Sequence, residues 1–243
     1  MLLEKTACIM LDINMQEQME KVLAQAARLQ KLVPDAILVG GSAVYVYAGH
    51  RYSLDHDHII ADLEERFDLI LESLEREGDW VTNRVVYGKI ILGELGGIET
   101  GIRQLIRKKV LEFQTVQIGD LPLNVPTIGE IIRIKAFLIV KRNQMRDYLD
   151  FAALCDKAGI HSSAQIIESL DEYYTDESSE LRANEKPALS QLLKQLCDPK
   201  PKDSRSIEQL PEYKGVVDKL KDWNFIVEIC GRVAREVMRN GNA

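Results

Sequence analysis

A chain of 243 residues, 46% hydrophobic and 28% charged, has the ordinary composition of a globular protein and room for one large domain or two smaller ones. Its net charge of −7 speaks against a polyanion partner, because nucleic-acid affinity comes largely from phosphate neutralisation. Cys8, Cys155, Cys197 and Cys230 follow no zinc or C-x-x-C spacing, and the chain has neither a secretory-type start nor the roughly 18 apolar residues of a membrane span, so a cytoplasmic protein with reduced thiols and no membrane is expected.

In chain order, residues 16 to 33 place Met19, Val22, Leu23, Ala26 and Val33 at helical spacing, which predicts an amphipathic helix ended by Pro34-Asp35. Ala36 to Val39 reads as a short buried strand stopped by Gly40-Gly41, and Ser42 to Ala48 as a helix ending at Gly49. Arg51 to Ile60 is expected to be the next strand. Asp62 to Glu77 puts Leu63, Phe67, Ile70 and Leu74 on one helical face, with Gly78 in the C′ position. Trp80 to Tyr87, Lys89 to Leu92 with Gly97 to Leu105, and Val110 to Ile118 are β-like, and Asp120 to Pro126 is expected to be a loop.

Thr127 to Glu130 has the form of a capping box. Helices are expected near 128–142, 145–158, 163–173, 187–197 and 213–238, with Asp198 to Ser206 a linker. The fold class is therefore α+β: a mixed sheet flanked by helices over residues 1–125, then an all-helical half over 126–243. From Arg84 to Arg146, eleven Lys or Arg stand against five Asp or Glu, a net of +6, so the rest carries −13. That band is either a solvated mixed surface or an electropositive footprint.

Chemistry concentrates at Gly40-Gly41-Ser42 and Asp55-His56-Asp57. A Gly-Gly-Ser turn opening a helix offers N–H groups and a hydroxyl to phosphate, and carboxylates at i and i+2 of a strand point the same way and can share Mg²⁺. His50, His56, Asp57 and His58 suggest a rival metal cluster. Strand alternation opposes it, since His56 and His58 would face away from Asp55 and Asp57. A third carboxylate is expected as metal ligand and base; Glu99 is the nominee and Glu94 its competitor. On one continuous helix, Lys135, Arg142, Arg146 and Asp150 would share a face, with Lys135 either snorkelling or meeting phosphate, and Arg146 with Asp147 or Asp150 a possible ion pair.

Gly40-Gly41-Ser42-Ala43 through Arg51-Tyr52-Ser53-Leu54-Asp55-His56-Asp57, together with Lys135-Ala136, Arg142, Arg146-Asp147 and Asp150, resembles the AbiEii-like nucleotidyltransferase toxins of type IV toxin–antitoxin systems, a branch of the DNA polymerase β-like superfamily. The likeness covers about residues 15 to 160. It implies a nucleotidyltransferase-type mixed sheet in which Gly41 and Ser42 hold triphosphate, Asp55 and Asp57 hold magnesium, and Lys135 and Asp150 are essential cleft residues. Members of that family transfer nucleotides to tRNA acceptor ends or bind GTP. His56 and His58 depart from the apolar or aromatic residues usual around its acids.

The expected function is Mg²⁺-dependent transfer of a nucleotide from an NTP, with two ions, to an acceptor hydroxyl, on RNA such as a tRNA end, in a toxin with a cognate antitoxin. Asp55, Asp57, Glu99, Lys135 and Asp150 are its catalytic candidates; Gly40, Gly41, Ser42, Lys135, Arg142 and Arg146 its nucleotide-binding ones; Asp55, Asp57 and Glu99 its metal ligands. The alternatives are a nucleotide-binding partner protein without transfer activity and an HD-type phosphohydrolase using His50, His56, Asp57 and Asp150.

Overall fold

The structure, a computed structural model, describes residues 2–107, 109–174, 187–213 and 215–241, with side chains from residue 15 onward. The chain divides into two compact units: Met1–Ile106 with Val110–Thr127, and Arg107–Lys109 with Ile128–Ala243. It is a mixed α/β protein, with a mixed five-stranded sheet in the first unit and a helical second unit.

The first unit opens with α1 (Leu2–Leu32), whose Met19, Val22, Leu23, Ala26 and Leu29 recur at helical spacing and are buried. β1 (Ile37–Val39) runs directly into α2 (Gly40–Ala48), which Gly49 closes in the left-handed conformation with its N–H on Tyr45 O. β2 (His56–Ile60), α3 (Leu63–Glu75), β3 (Trp80–Val86), β4 (Ile90–Leu95) and β5 (Ile98–Gln104) complete a sheet in the order β1-β2-β5-β4-β3. β2 and β5 run parallel, and the other neighbours are antiparallel.

Alternation along the strands gives the sheet two chemically different faces. His56, His58, Ile60, Ile91, Leu95, Thr100 and Ile102 share one, where Ile60, Ile91, Leu95 and Ile102 are buried with Leu29, Val33, Leu63, Phe67, Ile70 and Leu74 of α1, α3 and the segments that follow them. Each large apolar side chain buried there contributes about 1.5–3 kcal/mol, so this face holds the unit together. The opposite face carries Asp57, Glu94, Glu99, Gly101 and Arg103.

Two expectations in this unit are corrected. Residues 51–55 are not strand: Ser42 Oγ donates to Asp55 O at 2.6 Å and Ser53 Oγ to Asp55 Oδ1 at 2.7 Å, and such local bonding competes with a sheet ladder. The stretch expected as a loop before Thr127 is instead β7 (Leu121–Pro126), paired antiparallel with β6 (Phe113–Ile118). Asn124 N–H donates to Gln30 Oε1 at 2.7 Å, away from β6. Pro122 and Pro126 share its phase, so their missing N–H groups cost no ladder bond.

The second unit consists of α4 (Ile128–Lys141), α5 (Met145–Ala158), α6 (Ile160–Glu168), α7 (Leu170–Tyr174), α8 (Ala188–Cys197), α9 (Arg205–Gln209) and α10 (Trp223–Asn240). Tyr148, Phe151, Leu192, Leu196, Ile226 and Val233 are fully buried in its interior. The helix expected over 163–173 is split at Ser169, part of the expected linker is α9, and α10 starts about ten residues later than expected, where Asp222 Oδ1 caps it by accepting from Asn224 N–H at 2.9 Å. Glu130, expected in a capping box, accepts from Arg107 Nη2 at 2.7 Å and Arg133 Nη2 at 3.2 Å. No helix among the described residues is long and apolar enough to cross a membrane.

Candidate functional site

The site forms where β1 ends. Val39 is extended, Gly40 turns the chain with φ +74°, and α2 starts at once, its N-cap Val39 having no side chain able to cap it. Gly40 is needed there, because other residues pay for that backbone conformation in strain. The first-turn N–H groups of a helix lack intrahelical acceptors and carry the positive end of its dipole, so this terminus suits an anion.

Three neighbours crowd it. A Cβ on Gly40 would stand 3.7 Å from Asp57 Oδ2, and one on Gly41 would stand 2.6 Å from Arg51 Nη2 and 2.9 Å from Ser53 Oγ. Asp57 comes from β2, paired with Val39 on one side and Gly101 on the other. Its side chain is 34% exposed, and Oδ1 lies 3.5 Å from Arg103 Nε. Asp55, exposed, sits just before β2 and accepts from Ser53 Oγ. Ser42 is buried with its hydroxyl donated to Asp55 O, so it anchors the carboxylate turn to α2.

The sequence placed the histidines correctly: His56 and His58 lie on the buried face of β2, rings edge to face at 5.3 Å, and Thr100 Oγ1 stands 2.9 Å from His56 Nδ1. Burial lowers His56 to about 4, and burial together with the neighbouring His56 lowers His58 well below its usual value. Both are neutral core groups pointing away from Asp57, which removes the geometry an HD-type site requires.

Glu99 is displaced from its expected place. The residue alongside Asp57 is Gly101, and Glu99 stands two residues away on the same face, about 7 Å along the strand, opposite Glu94 of β4. The register carries it to the level of Asp55. Among the described residues no three His, Cys, Asp or Glu are already grouped to hold a metal ion.

Lys135, Arg142, Arg146 and Asp150 do not share one helix. The chain breaks between α4 and α5 at residues 142–144, with Asn143 at φ +53°. Lys135 and Asp150 are nevertheless brought together across the two helices, Nζ to Oδ2 at 2.8 Å, with side chains 3% and 2% exposed. Arg142 pairs with buried Asp147 through Nε at 3.3 Å, and Arg146 is exposed on α5. Four residues at the α2 terminus were not singled out by sequence: Arg51, Ser53, Gly101 and Arg103. Arg51 and Ser53 were visible inside the Arg-x-Ser-x-Asp-x-Asp run, whereas Gly101 and Arg103 become visible only through the β2–β5 register.

No protein-family model matches the chain. It is 28% identical over 240 residues to the heme uptake protein MmpL11 of Mycobacterium tuberculosis, covering 88% of this chain and 22% of that protein. It is 32% identical over 130 residues to the mycolic acid-containing lipids exporter MmpL11 of Mycolicibacterium smegmatis, covering 53% of this chain and 13% of that protein. The chain thus spans about a fifth or less of the curated relatives it matches. Among solved structures it is similar to one described as a nucleotidyltransferase from H. pylori, with TM-score 0.49, 12% identity and coverage of 94% and 95% of the two chains. Another is an antigenic nucleotidyltransferase-like protein from Paracoccidioides brasiliensis, with TM-score 0.48, 14% identity and coverage of 83% and 94%.

Proposed function

We propose that the α2 terminus binds the triphosphate of an NTP and that the protein is a Mg²⁺-dependent nucleotidyltransferase. The observation that carries this reading is the approach of the Asp57 carboxylate and the Arg51 guanidinium to a helix terminus opened by two glycines. A carboxylate beside an anion site repels phosphate unless a cation stands between them, and a divalent ion shared by both removes that conflict. The donors fit Mg²⁺: all are oxygens, and Mg²⁺ typically takes one or two carboxylates and completes its shell with phosphate and water.

Asp55 and Asp57 would hold the metal, which when bound supplies charge neutralisation at the phosphates. The Gly41 and Ser42 N–H groups would bind the β- and γ-phosphates, with Arg51 beside them. An acceptor hydroxyl would attack the α-phosphorus, the bond to the β-phosphate oxygen would break, pyrophosphate would leave, and Glu99 would take the hydroxyl proton. An RNA acceptor such as a tRNA end, a toxin role and an antitoxin belong to this reading through the sequence resemblance alone, because in the basic band from Arg84 to Arg146 the cations Arg107, Arg133 and Lys135 are 7% exposed or less and paired with Glu130 or Asp150. Lys135 and Asp150 enter this reading as a buried pair that fixes α4 against α5.

The test is incubation with Mg²⁺, each labelled NTP in turn and total RNA, beside Asp57→Ala. Wild type is expected to label RNA and the variant not; equal labelling by both sinks the proposal. A second reading, nucleotide binding without transfer, is favoured by Gly101 at the β5 position alongside Asp57, where a third carboxylate would complete the set, and by a guanidinium, Arg103, standing at its Oδ1. It predicts thermal stabilisation by NTP with Mg²⁺ and no pyrophosphate release.

A further inference from the structure

Asp57 lies over the bare backbone of Gly101 and beside Arg103. A Cβ built on Gly101 would stand 2.6 Å from Asp57 Oδ1 and 2.9 Å from Leu92 Cδ2, closer than real Cβ atoms approach anything. The carboxylate therefore leans across β5 into space that only glycine leaves open. The same oxygen, Oδ1, is the one 3.5 Å from Arg103 Nε, while Oδ2 is the one turned to the α2 terminus at Gly40.

We infer that β5 is the positioning element of the site: Gly101 admits the Asp57 carboxylate, Arg103 holds its Oδ1, and Oδ2 is thereby presented beside the phosphate-binding turn. The inference rests on the reading of Asp57 as a metal-holding carboxylate. It assigns positioning roles, acting through Asp57, to two residues.

Two effects of Arg103 oppose each other, and that makes its role measurable. As a bystander cation it repels a divalent ion, so removing it tightens metal binding. As a positioning group it orients the ligand oxygen, and removing it weakens metal binding, as loss of outer-sphere partners commonly does by about 10- to 100-fold. The sign of the change decides between them.

The probe is the Mn²⁺–tripolyphosphate complex, with protein-bound Mn²⁺ separated from the complex in solution by ultrafiltration and counted, and each variant's fold checked by circular dichroism. Wild type is expected to bind Mn²⁺ and Asp57→Asn to bind at least about tenfold more weakly. Gly101→Ala, which makes the Asp57 carboxylate swing aside, is expected to weaken binding but less than Asp57→Asn does, and adding Leu92→Ala should not restore binding, because it relieves the contact with Leu92 and leaves the one with Asp57. Arg103→Met should weaken binding and Arg103→Lys recover part of it; being half-exposed, position 103 also keeps the inference testable if Gly101→Ala fails to fold. No Mn²⁺ binding by wild type, or equal binding by Asp57→Asn, removes the reading of the site itself. Wild-type affinity in Gly101→Ala, rescue by Leu92→Ala, or tighter binding by Arg103→Met overturns the role of β5 and leaves that reading standing.

Discussion

Replacing Lys135 alone by Met should destabilise the protein far more than replacing Lys135 and Asp150 together by Met and Leu. At 2.8 Å and an effective dielectric of about 20, the pair's attraction is about 6 kcal/mol, against a desolvation cost of several kcal/mol for each ion. Those terms nearly cancel while both charges are present. Lys135→Met removes the attraction and leaves the Asp150 carboxylate buried, a loss of about 3–5 kcal/mol. The double replacement removes both desolvation costs and should recover most of that loss. Guanidinium unfolding followed by the far-ultraviolet helix signal measures all three variants, and the coupling follows from the double-mutant cycle. A single replacement costing under about 1 kcal/mol, or a double no better than the worse single, refutes the argument. The same proteins separate structure from chemistry under the proposed function: if the pair only fixes α4 against α5, the double variant should match wild type in the RNA-labelling assay as well as in stability.

Acid should weaken the fold through its buried histidines. Burial holds His56 at about 4 when folded against 6.5 when unfolded, so the unfolded chain binds more protons in that window and stability rises with pH across it. Acidification from 6.5 to 4 should remove about 3 kcal/mol on account of His56 alone, more with His58, and His56→Gln should flatten the profile; an unchanged slope in that variant contradicts it. Burial pushes the Cys155 thiol up to about 12 and Cys230 well above its usual range, while Cys197 is exposed. Iodoacetamide with peptide mapping should therefore find Cys197 modified quickly and the other two slowly, and rapid native-state labelling of Cys155 would contradict the packing of α5. Ser42→Ala removes the bond to Asp55 O and should cost about 1 kcal/mol, seen as a lower urea midpoint with unchanged m-value.

What was legible in the sequence was what local spacing determines. β1, Gly40 and α2 follow from an apolar run, a turn residue and a helix ending in Gly49, and the opposed faces of His56 and Asp57 follow from the period of two. What escaped depends on partners distant in the chain. Nothing near Glu99 says that the parallel register places Gly101 beside Asp57. Nothing near Pro122 says that the N–H it lacks would have pointed away from β6, a phase fixed by Asn124 bonding to Gln30 on α1. The break after α4 falls where two helices, 128–142 and 145–158, were expected, and it excludes the single continuous helix on which Lys135, Arg142, Arg146 and Asp150 would share a face; Asn143 at positive φ, its Oδ1 2.5 Å from Tyr148 Oη, marks the turn. The break moves Asp150 onto a second helix, yet that helix folds back and restores its pairing with Lys135.

The small number of carboxylates beside the α2 terminus has its own consequence. A Mg²⁺ ion requires near-octahedral oxygen ligation, and Asp55 and Asp57 can furnish only part of it. In the proposed site the remaining oxygens come from phosphate and water, so metal and triphosphate must strengthen each other's binding. The Arg51 guanidinium at Gly41 and the Arg103 guanidinium at Asp57 are then complementary: the first adds to phosphate attraction, and the second offsets carboxylate charge before the metal arrives. Tripolyphosphate should tighten Mn²⁺ binding by about tenfold or more, within the usual range of coupling between linked sites, and protein-bound Mn²⁺ counted after ultrafiltration at fixed free Mn²⁺, with and without tripolyphosphate, reads that factor. Independent binding of the two would mean that phosphate and metal do not share the site, and that α2 and β2, though adjacent, carry separate functions.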